Sequence, residues 1–448
     1  MNWKEGIVTP IHKAENRHQP KNYRPITITS ILCRLLEKTI KRHVMEHLLE
    51  NDLIPPEQHG FMPGKSCLTN LLETMEDITK WCDMGIPVDE VFLDFSKAFD
   101  KVPHQRLLYK LHKLGINENV LCWIESFLCN RTQRVRIRSS LSKQMPVDSG
   151  VPQGSVLGPL LFIAYIIDLP CQVKSSATIF AEDTKLYKKT ETVQDANDLQ
   201  NDLDTLTQWC EEWGMIFNRD KCCVMHYGYH NKRYIYHISG RLLTPCATHK
   251  DLGVIISDTL KPAEQISKCV TKANTMVGLI KRTFSHMDKD IFMATYKVFV
   301  RPILGYCQQV WSPYYVKDIE QLEQVQRRAT KLVPELKDME YEDRVKALGL
   351  FTLSQRRVRG DMIFMFKIFN NLVNIDHTKM FQKSTENRTR GHTLKLSNHR
   401  SNGDIRQYFY CNRVIVPWNN LPSHVIHSEN VSQFKRNYDK FIMSQNNL

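Results

Sequence analysis

The sequence predicts an α+β fold, and three observations support it. The chain has 448 residues, of which 42% are hydrophobic and 24% charged, so it can form two or three domains with cores of ordinary size. Between residues 90 and 227, short apolar segments and amphipathic helices follow one another as strand, helix, strand, strand, helix, strand. This order is the split β-α-β pattern. Acidic residues stand at the ends of two of these strands.

The strands of this pattern are short and rich in β-branched and aromatic residues. EVFLDF at 90–95 predicts the first strand. ATIFAEDTKLYK at 177–188 predicts a hairpin, with two strands around an acidic tip. CCVMHY at 222–227 predicts the last strand. RVRIR at 134–138 alternates, so we expect its valine and isoleucine to face inward and its three arginines to face solvent.

The helices are recognised by apolar residues at three- and four-residue steps. One begins after Pro103, and a second follows it directly. PLLFIAYIIDL at 159–169 is apolar all round, which indicates a buried helix. The clearest helix begins at 195 and ends at Gly214. Further along, residues 261–333 predict three helices with basic outer faces.

The charge and cysteine content limit the classes of partner and compartment. Lysine and arginine total 61 against 48 acidic residues, which gives a net charge of +13 and a pI of about 9.0. This excess favours a polyanionic partner, either nucleic acid or a membrane surface. No run of about eighteen apolar residues occurs, so no membrane-spanning helix is expected. Thirteen cysteines without a Cys-x-x-Cys pair indicate reduced thiols in the cytoplasm or nucleus.

The acidic residues at the strand ends are Asp94 in the first strand and Glu182 and Asp183 at the hairpin tip. Crossover helices make the first strand parallel to the strand that enters the hairpin, so both finish at the same edge of the sheet. Three carboxylates at one point repel one another unless cations bind them. Oxygen ligands select Mg²⁺ or Mn²⁺, and two such ions suit displacement at phosphorus. The alternative is an exposed turn, where acidic residues are common.

Several segments resemble, in order, the successive motifs of reverse transcriptases from non-LTR (LINE-type) retrotransposons. The central ones are VFLDFSKAFDKVPH (91–104), SGVPQGSVLGPLLF (149–162), FAEDT (180–184) and NRDKC (218–222). The flanking ones are similar to the family's fingers, its primer grip and the C-terminal region of jockey-like and chicken-repeat-type elements: NYRPITITSILCRLLEKTI (22–40) and EQHGFMPGKSC (57–67), KDLGVIIS (250–257), and residues 326–370. The resemblance covers nearly the whole chain.

The resemblance implies a right-hand polymerase with a split β-α-β (ferredoxin-like) palm, fingers, a helical thumb and an α-rich C-terminal region. The implied domains are fingers segments at 1–90, the palm with a fingers insert at 91–240, the primer grip and thumb at 241–335, and a C-terminal helical region at 336–448. A polar stretch near 376–405 is expected to be a linker. The chain opens inside the fingers, which implies truncation at the N-terminus without an endonuclease domain.

The resemblance also implies roles for individual residues. The metal-binding carboxylates correspond to Asp94, Glu182 and Asp183. Lys221 corresponds to the lysine proposed to protonate the departing pyrophosphate. The implied nucleotide-binding residues are Arg24, Phe99, Gln153 and Gly154.

The resemblance also implies what each nucleotide-binding residue would do. Arg24 would grip phosphate through its guanidinium. Phe99 would clash with a 2′-hydroxyl and so select deoxynucleotides, and the turn at Gln153 and Gly154 would contact nucleotide and template backbone. Ordinary alternatives stay open, because Arg24 and Lys221 suit a solvated surface and Phe99 suits a core.

One residue departs from the family pattern. Members normally carry F-A-D-D at the hairpin tip, whereas this chain has Glu182 in place of the first aspartate. Glutamate keeps the charge but extends the carboxylate by one methylene, and displacements near ~1 Å can lower a rate about a hundredfold. We therefore expect bound metal but impaired polymerisation.

These observations predict an RNA-directed DNA polymerase of a retrotransposon that acts by two-metal nucleotidyl transfer with Mg²⁺ or Mn²⁺. Its partners would be an RNA template, a DNA primer and deoxynucleoside triphosphates, with no membrane partner and no particular oligomeric state implied. The alternative is a catalytically inactive, nucleic-acid-binding remnant of such an element. A membrane-surface protein is a third hypothesis, which only the positive charge supports.

Overall fold

The computed structural model describes residues 3–13, 16–384, 392–398 and 400–445. Residues 385–391 and 399 of the predicted polar linker lie outside the described residues. Within the described ranges the strands are β1 Glu5–His12, β2 Tyr23–Ile28, β3 Val88–Asp94, β4 Arg131–Ile137, β5 Ser140–Leu141, β6 Met145–Val147, β7 Ser176–Phe180, β8 Asp183–Lys189, β9 Cys223–Tyr227, β10 His237–Ile238, β11 Arg241–Leu242, β12 Thr244–Pro245, β13 Thr248–Asp251 and β14 Val254–Ser257.

The α-helices alternate with these strands in the first half of the chain and dominate the second half. They are α1 Ile31–Glu50, α2 Cys67–Asp83, α3 Ala98–Lys101, α4 His104–Lys113, α5 Glu118–Leu128, α6 Gly158–Tyr165, α7 Val193–Trp213, α8 Ala263–Thr283, α9 Lys289–Thr295, α10 Arg301–Gly305, α11 Gln308–Trp311, α12 Val316–Thr330, α13 Tyr341–Ala347, α14 Leu353–Phe369, α15 His377–Met380, α16 Asp404–Gln407, α17 Tyr410–Arg413, α18 Ile415–Asn419, α19 Ser423–Ile426 and α20 Val431–Gln445.

The chain divides into two compact units. The first unit comprises Met1–Met62, Asp89–Val224 and Lys232–Pro245, and the second comprises Pro63–Val88, Met225–Asn231 and Cys246–Leu448. The domain boundaries inferred from the sequence stay predictions. No helix in the described part of the chain is long and apolar enough to cross a membrane. Six of the thirteen cysteines are buried.

The first unit is organised around a sheet with the strand order β12-β9-β3-β8-β7. The four strands of the predicted pattern are β3, β7, β8 and β9. The helices between β3 and β7 carry the chain past β8, and α7 carries it from β8 past β3 to β9. Each crossover therefore skips one strand, as a split β-α-β unit requires. This strand order confirms the predicted α+β fold class.

A second sheet in the first unit is built from the strands that flank this pattern. Its order is β2-β1-β4-β5, with β6 also paired to β4. β1 runs antiparallel to β2 and parallel to β4. The pairing places Ile11 of β1 opposite Arg24 of β2, so the end of β1 and the start of β2 lie side by side.

The helix predicted from residue 195 is α7, and its ends follow local capping chemistry. The Thr192 side chain accepts a hydrogen bond from the Asp195 backbone N–H, and the Asp195 side chain accepts one from Thr192 in return. Gly214 ends the helix with φ of 68°, a conformation that glycine adopts without strain. Its apolar face packs into the core, where Leu203 and Leu206 are fully buried.

Two sequence expectations in the first unit need correction. The buried helix predicted at 159–169 ends at Tyr165, and a separate 3₁₀ turn begins at Pro170. RVRIR does lie in β4, but Val135 and Ile137 are 38% and 62% exposed rather than inward. This end of β4 pairs with β5 as a two-stranded ribbon. Residues 135–146 are all exposed, so alternation there does not mark a core face.

The second unit is mostly helical. α8 packs on α12, and α14 packs on α20. The region predicted to hold three helices is more broken than expected: between α8 and α12 the chain forms α9, a π-helix at Tyr296–Val300, α10 and α11. Pro302 contributes to the break, because it has no backbone N–H to donate within a continuous helix. It stands in the first turn of α10, where that N–H is not needed. The segment 408–422 packs into this unit through Trp418, which is fully buried.

Candidate active site

The acidic tip of the hairpin is a two-residue turn. Phe180 of β7 pairs with Asp183 of β8, so Ala181 and Glu182 form the turn. Ala181 is buried and has φ of 53°, which is unusual for a residue with a side chain. Glu182 is half-buried, and Asp183 is exposed as the first residue of β8. The predicted hairpin is therefore present, with one acidic residue in the turn and one directly after it.

Asp94 is the last residue of β3, the neighbour of β8 in the sheet. The backbone carbonyl of Asp94 accepts a hydrogen bond of 2.7 Å from the Asn218 N–H. Next to it, the rings of Phe95 and Phe217 stack with centroids 4.7 Å apart. These contacts hold the segment that follows α7 against the end of β3. As a result, the Lys221 ammonium donates to the carboxylate of Asp94.

The charged side chains at the turn and at the end of β3 act electrostatically on one another. Burial raises the pKa of Glu182, and the negative charge of Asp94 raises it further. The positive charges of Arg24 and Lys13 act in the opposite direction. Three charged side chains, Asp94, Arg24 and Lys13, thus act on the Glu182 carboxylate. Lys221 is the fourth charged side chain of this group, through its contact with Asp94. Of the residues predicted from the sequence, Asp94, Glu182, Lys221 and Arg24 are brought together.

Lys13 belongs to this cluster, although the sequence did not indicate it. Its pKa is lowered, first by burial and then by repulsion from Lys221 and Arg24, while Asp94 and Glu182 raise it. Lys13 directly follows β1, and its N–H donates to the carbonyl of Asn22 at 2.8 Å. A single lysine before a loop belongs to no sequence motif, so its position in the site could not be predicted. Only the register between β1 and β2 brings it beside Arg24, and that register cannot be read from residue spacing.

Gln153 and Gly154 lie in a loop that is tied to β2. The Thr27 N–H donates to the carbonyl of Gln153 at 2.6 Å. Gly154 has φ of 107°, and a Cβ there would lie 2.5 Å from the Thr27 carbonyl oxygen, so only glycine fits. The Gln153 amide donates to Asp100 at 3.1 Å. This bond opposes the burial that raises the pKa of Asp100.

Phe99 is half-buried and packs against the core of the first unit. Its ring stacks on Phe162 with centroids 4.6 Å apart and planes inclined by 21°. The Phe99 carbonyl accepts a hydrogen bond of 2.7 Å from the Val151 N–H, which joins this residue to the loop of Gln153. The ring is anchored in the core but keeps an exposed part. It is therefore compatible with both interpretations of Phe99, as a core residue and as a residue that contacts the nucleotide sugar.

The donor set at the turn suits a divalent cation. Carboxylate oxygens are the ligands that Mg²⁺ and Mn²⁺ prefer. Burial raises the pKa of Glu182 and the negative charge of Asp94 raises it further, so a cation bound between the two carboxylates would relieve their repulsion. Asp183 follows the turn directly and is exposed. The residues present therefore fit a metal of this class.

The sheet order and the mixed helix and strand content define an α+β polymerase fold. Residues 11–279, more than half of the chain, match the family model described as reverse transcriptase (RNA-dependent DNA polymerase). The chain therefore belongs to the reverse transcriptase family, and its type is that of non-LTR retrotransposons, as its motifs predicted. Members of this family generally use divalent metal ions.

Similar proteins come from mobile elements. The chain is 28% identical over 354 residues to the probable RNA-directed DNA polymerase from transposon BS of Drosophila melanogaster, a match that covers 74% of this chain and 38% of the relative. It is 28% identical over 331 residues to the RNA-directed DNA polymerase from mobile element jockey of the same species, covering 69% and 35%. The chain thus spans less than two fifths of the length of these relatives.

Among solved structures, the chain is similar to apo telomerase from Candida tropicalis. The TM-score is 0.45 at 10% sequence identity, and the match covers 77% of this chain and 59% of the telomerase chain.

Proposed function

We propose that the chain is the polymerase part of a retrotransposon reverse transcriptase, which adds deoxynucleotides to a DNA primer on an RNA template. The observation that carries this proposal is the meeting of Glu182 and Asp94 beside cationic side chains, in a member of the reverse transcriptase family. Carboxylates bind the cations of the reaction, and lysine and arginine attract the polyanionic substrate.

Asp94, Glu182 and Asp183 would hold the divalent cations, which we take to be two Mg²⁺ or Mn²⁺ ions. When bound, such ions lower the pKa of the primer hydroxyl and neutralise charge on the transferring phosphate. The support for this assignment is the oxygen-only donor set and the charge repulsion between Asp94 and Glu182.

The cationic side chains would handle the triphosphate and the leaving group. Arg24 and Lys13 would bind the phosphates, since both act electrostatically on the turn that carries Glu182. Lys221 would hold a proton at Nζ and transfer it to the departing pyrophosphate. Its ion pair with Asp94 keeps the ammonium group at the site and supports this role.

Phe99, Gln153 and Gly154 would position the sugar and backbone of the nucleotide. The loop of Gln153 is bonded both to β2, which carries Arg24, and to the backbone of Phe99. A triphosphate bound at Arg24 would therefore lie near the elements that hold these residues. The exposed part of the Phe99 ring would exclude a 2′-hydroxyl.

Restoring the aspartate at the turn tests this function directly. We expect Glu182→Asp to raise the rate of primer extension on an RNA template about a hundredfold, because it withdraws the carboxylate by one methylene toward the family position. The measurement is primer extension with Mg²⁺ and with Mn²⁺, and Glu182→Gln is the matched control that removes the charge. No gain with Glu182→Asp would count against the proposed metal site.

A second function is favoured by Glu182 itself. If the longer side chain abolishes turnover, the protein would be an inactive remnant that still binds nucleic acid through its positive charge. Binding of an RNA–DNA heteroduplex that persists in EDTA, together with no extension by the wild-type protein in either metal, would select the remnant. Extension by the wild-type protein would reject it.

A further inference from the structure

The segment at 57–60 lies along the outer edge of β7, next to the turn that carries Glu182. The Ile179 N–H donates to the Glu57 carbonyl at 2.9 Å, and the His59 N–H donates to the Ile179 carbonyl at 2.7 Å. Gln58 and Ile179 thus form a parallel β-bridge. Because β7 is the last strand of the central sheet, this segment covers the strand edge that leads into the turn.

Gln58 reaches from this segment into the turn. Its side chain is 2% exposed, and its Oε1 accepts two hydrogen bonds, from the Gly60 N–H at 2.7 Å and the Ala181 N–H at 3.1 Å. Ala181 is the residue directly before Glu182. A buried N–H requires an acceptor, so this one oxygen fixes the backbone of the turn relative to a segment 123 positions away in the sequence.

The turn needs such support, because its backbone conformation is unfavourable. Ala181 has φ of 53°, in a region that residues with a Cβ rarely adopt. Gly60 packs against it so closely that a Cβ at residue 60 would lie 2.4 Å from the Ala181 nitrogen. Such conformations persist only where the surroundings determine them. Gln58 and Gly60 supply these surroundings on one side of the turn.

We propose that Gln58 is a positioning residue for the metal-binding turn. By fixing the Ala181 N–H, its amide sets the direction in which the Glu182 carboxylate leaves the backbone, and thereby the geometry presented to a divalent cation. This inference rests on the proposed function of Glu182 as a metal ligand. A purely structural amide would stabilise the fold without affecting cation binding.

The test replaces the acceptor and measures Mn²⁺ binding. Gln58→Met keeps the length and burial of the side chain but removes Oε1. We expect it to weaken Mn²⁺ binding about tenfold, measured by electron paramagnetic resonance of free Mn²⁺, since small displacements of a ligand have large effects. We also expect faster hydrogen–deuterium exchange at the Ala181 amide.

The matched control is Gln265→Met in α8. Gln265 is also buried, and its Oε1 accepts the Ile255 N–H at 2.9 Å, so its loss should lower stability without changing Mn²⁺ affinity. The proposal is overturned if Gln58→Met binds Mn²⁺ like the wild type with unchanged exchange at Ala181. It is equally overturned if Gln265→Met weakens Mn²⁺ binding to the same degree.

Two further arms keep the result decisive. Should Gln58→Met not fold, Gly60→Ala displaces the turn while leaving the Gln58 amide in place, and unchanged Mn²⁺ affinity in that variant would overturn the proposal. If the wild-type protein binds no Mn²⁺, that result would contradict the proposed function rather than the role of Gln58. In that case amide exchange still decides the role of Gln58, because fast exchange at Ala181 in the wild type means that the bond does not hold the turn.

Discussion

Single residues at the turn combine two opposing requirements. To share a cation in the proposed function, Glu182 would have to lie close to Asp94, yet the two charges repel each other when no cation is bound. The positive charges of Lys13, Arg24 and Lys221 lie beside these carboxylates and would also form the surface that a triphosphate needs. In that case the same side chains would both stabilise the free site and bind the substrate.

Lys13 is expected to act on the nucleotide rather than on the primer. In a Glu182→Asp background, we predict that Lys13→Met raises the KM for deoxynucleoside triphosphates about tenfold with a smaller change in kcat, because it removes a charge that contacts substrate before and during reaction alike. Steady-state primer extension measures both constants. Lys113→Met, on the exposed face of α4, is the control, and an unchanged KM for Lys13→Met would remove Lys13 from the site.

Phe99 is expected to discriminate between sugars. We predict that Phe99→Val lowers the preference for deoxynucleotides over ribonucleotides by about 10-fold or more, as a pocket that loses a steric element does. The comparison is single-nucleotide incorporation with matched dNTP and rNTP. Phe162→Leu removes the stacking partner but keeps the Phe99 ring. Equal loss of discrimination in both variants would mean that packing, not the ring, matters.

At the scale of elements, the ribbon of β4 and β5 is exposed and basic. Arg136 and Arg138 stand on it next to the exposed Val135 and Ile137. Exposed arginines of this kind can contact the phosphates of a nucleic-acid backbone. We predict that Arg136→Ala with Arg138→Ala weakens RNA binding and reduces the salt slope by about 1 per lost phosphate contact.

The control for the ribbon removes equal charge elsewhere. Lys38→Ala with Arg42→Ala changes two exposed side chains of α1 and should leave the slope nearly unchanged. Fluorescence anisotropy with labelled RNA at several salt concentrations gives both slopes. The same slope in the two double variants would show that the ribbon makes no particular contact.

In the second unit, we expect His392 to make the fold sensitive to acid. Burial lowers its pKa, and the charges of Lys395 and His427 lower it further, while its contact with Trp418 raises it. Its Nε2 lies 3.1 Å from the Trp418 carbonyl and its Nδ1 accepts the Leu394 N–H at 3.2 Å, so the folded form holds a neutral ring.

Because the pKa of His392 is lower in the folded state, its contribution to stability is complete above the unfolded value of about 6.5 and is lost as pH falls below it. We predict a loss of about 1 kcal/mol or more between pH 7.5 and 5, since protonated Nδ1 cannot accept the Leu394 N–H. Urea unfolding of wild type and His392→Gln measures this, with the exposed His424→Gln as control. A pH dependence that survives His392→Gln would contradict it.

Periodicity and capping were sufficient to predict the elements of the central sheet, but not the contacts between distant elements. α7 has an unbroken apolar face and both caps in its own sequence. The hairpin of Glu182 is likewise local. Lys13 and Gln58 escaped notice, because their places depend on strand register and on pairing across more than a hundred residues. The prediction that the apolar residues of RVRIR face inward was wrong. Alternation shows that a strand has two different faces, but it does not show whether another element covers either face.

For the whole molecule, the net charge of +13 predicts binding that is strong and dependent on salt. Each neutralised phosphate releases counterions, so log affinity should fall linearly with log salt concentration. With six or more phosphate contacts, raising salt from about 50 to 200 mM would weaken heteroduplex binding about a thousandfold. Titrations across this range, with EDTA present, provide the measurement. A flat dependence would argue against a nucleic-acid partner.

The bond between Gln58 and Ala181, and the ion pair of Lys221 with Asp94 127 positions earlier, also bear on biosynthesis. At about 5–20 residues per second, the ribosome releases these partners many seconds apart. Until the residues around 181 and 221 have been synthesised, the segment of Gln58 has no strand to pair with and the charge of Asp94 has no lysine partner. A growing chain of this kind would depend on chaperones, and mutations that slow its completion would reduce yield even when the finished fold is unaltered.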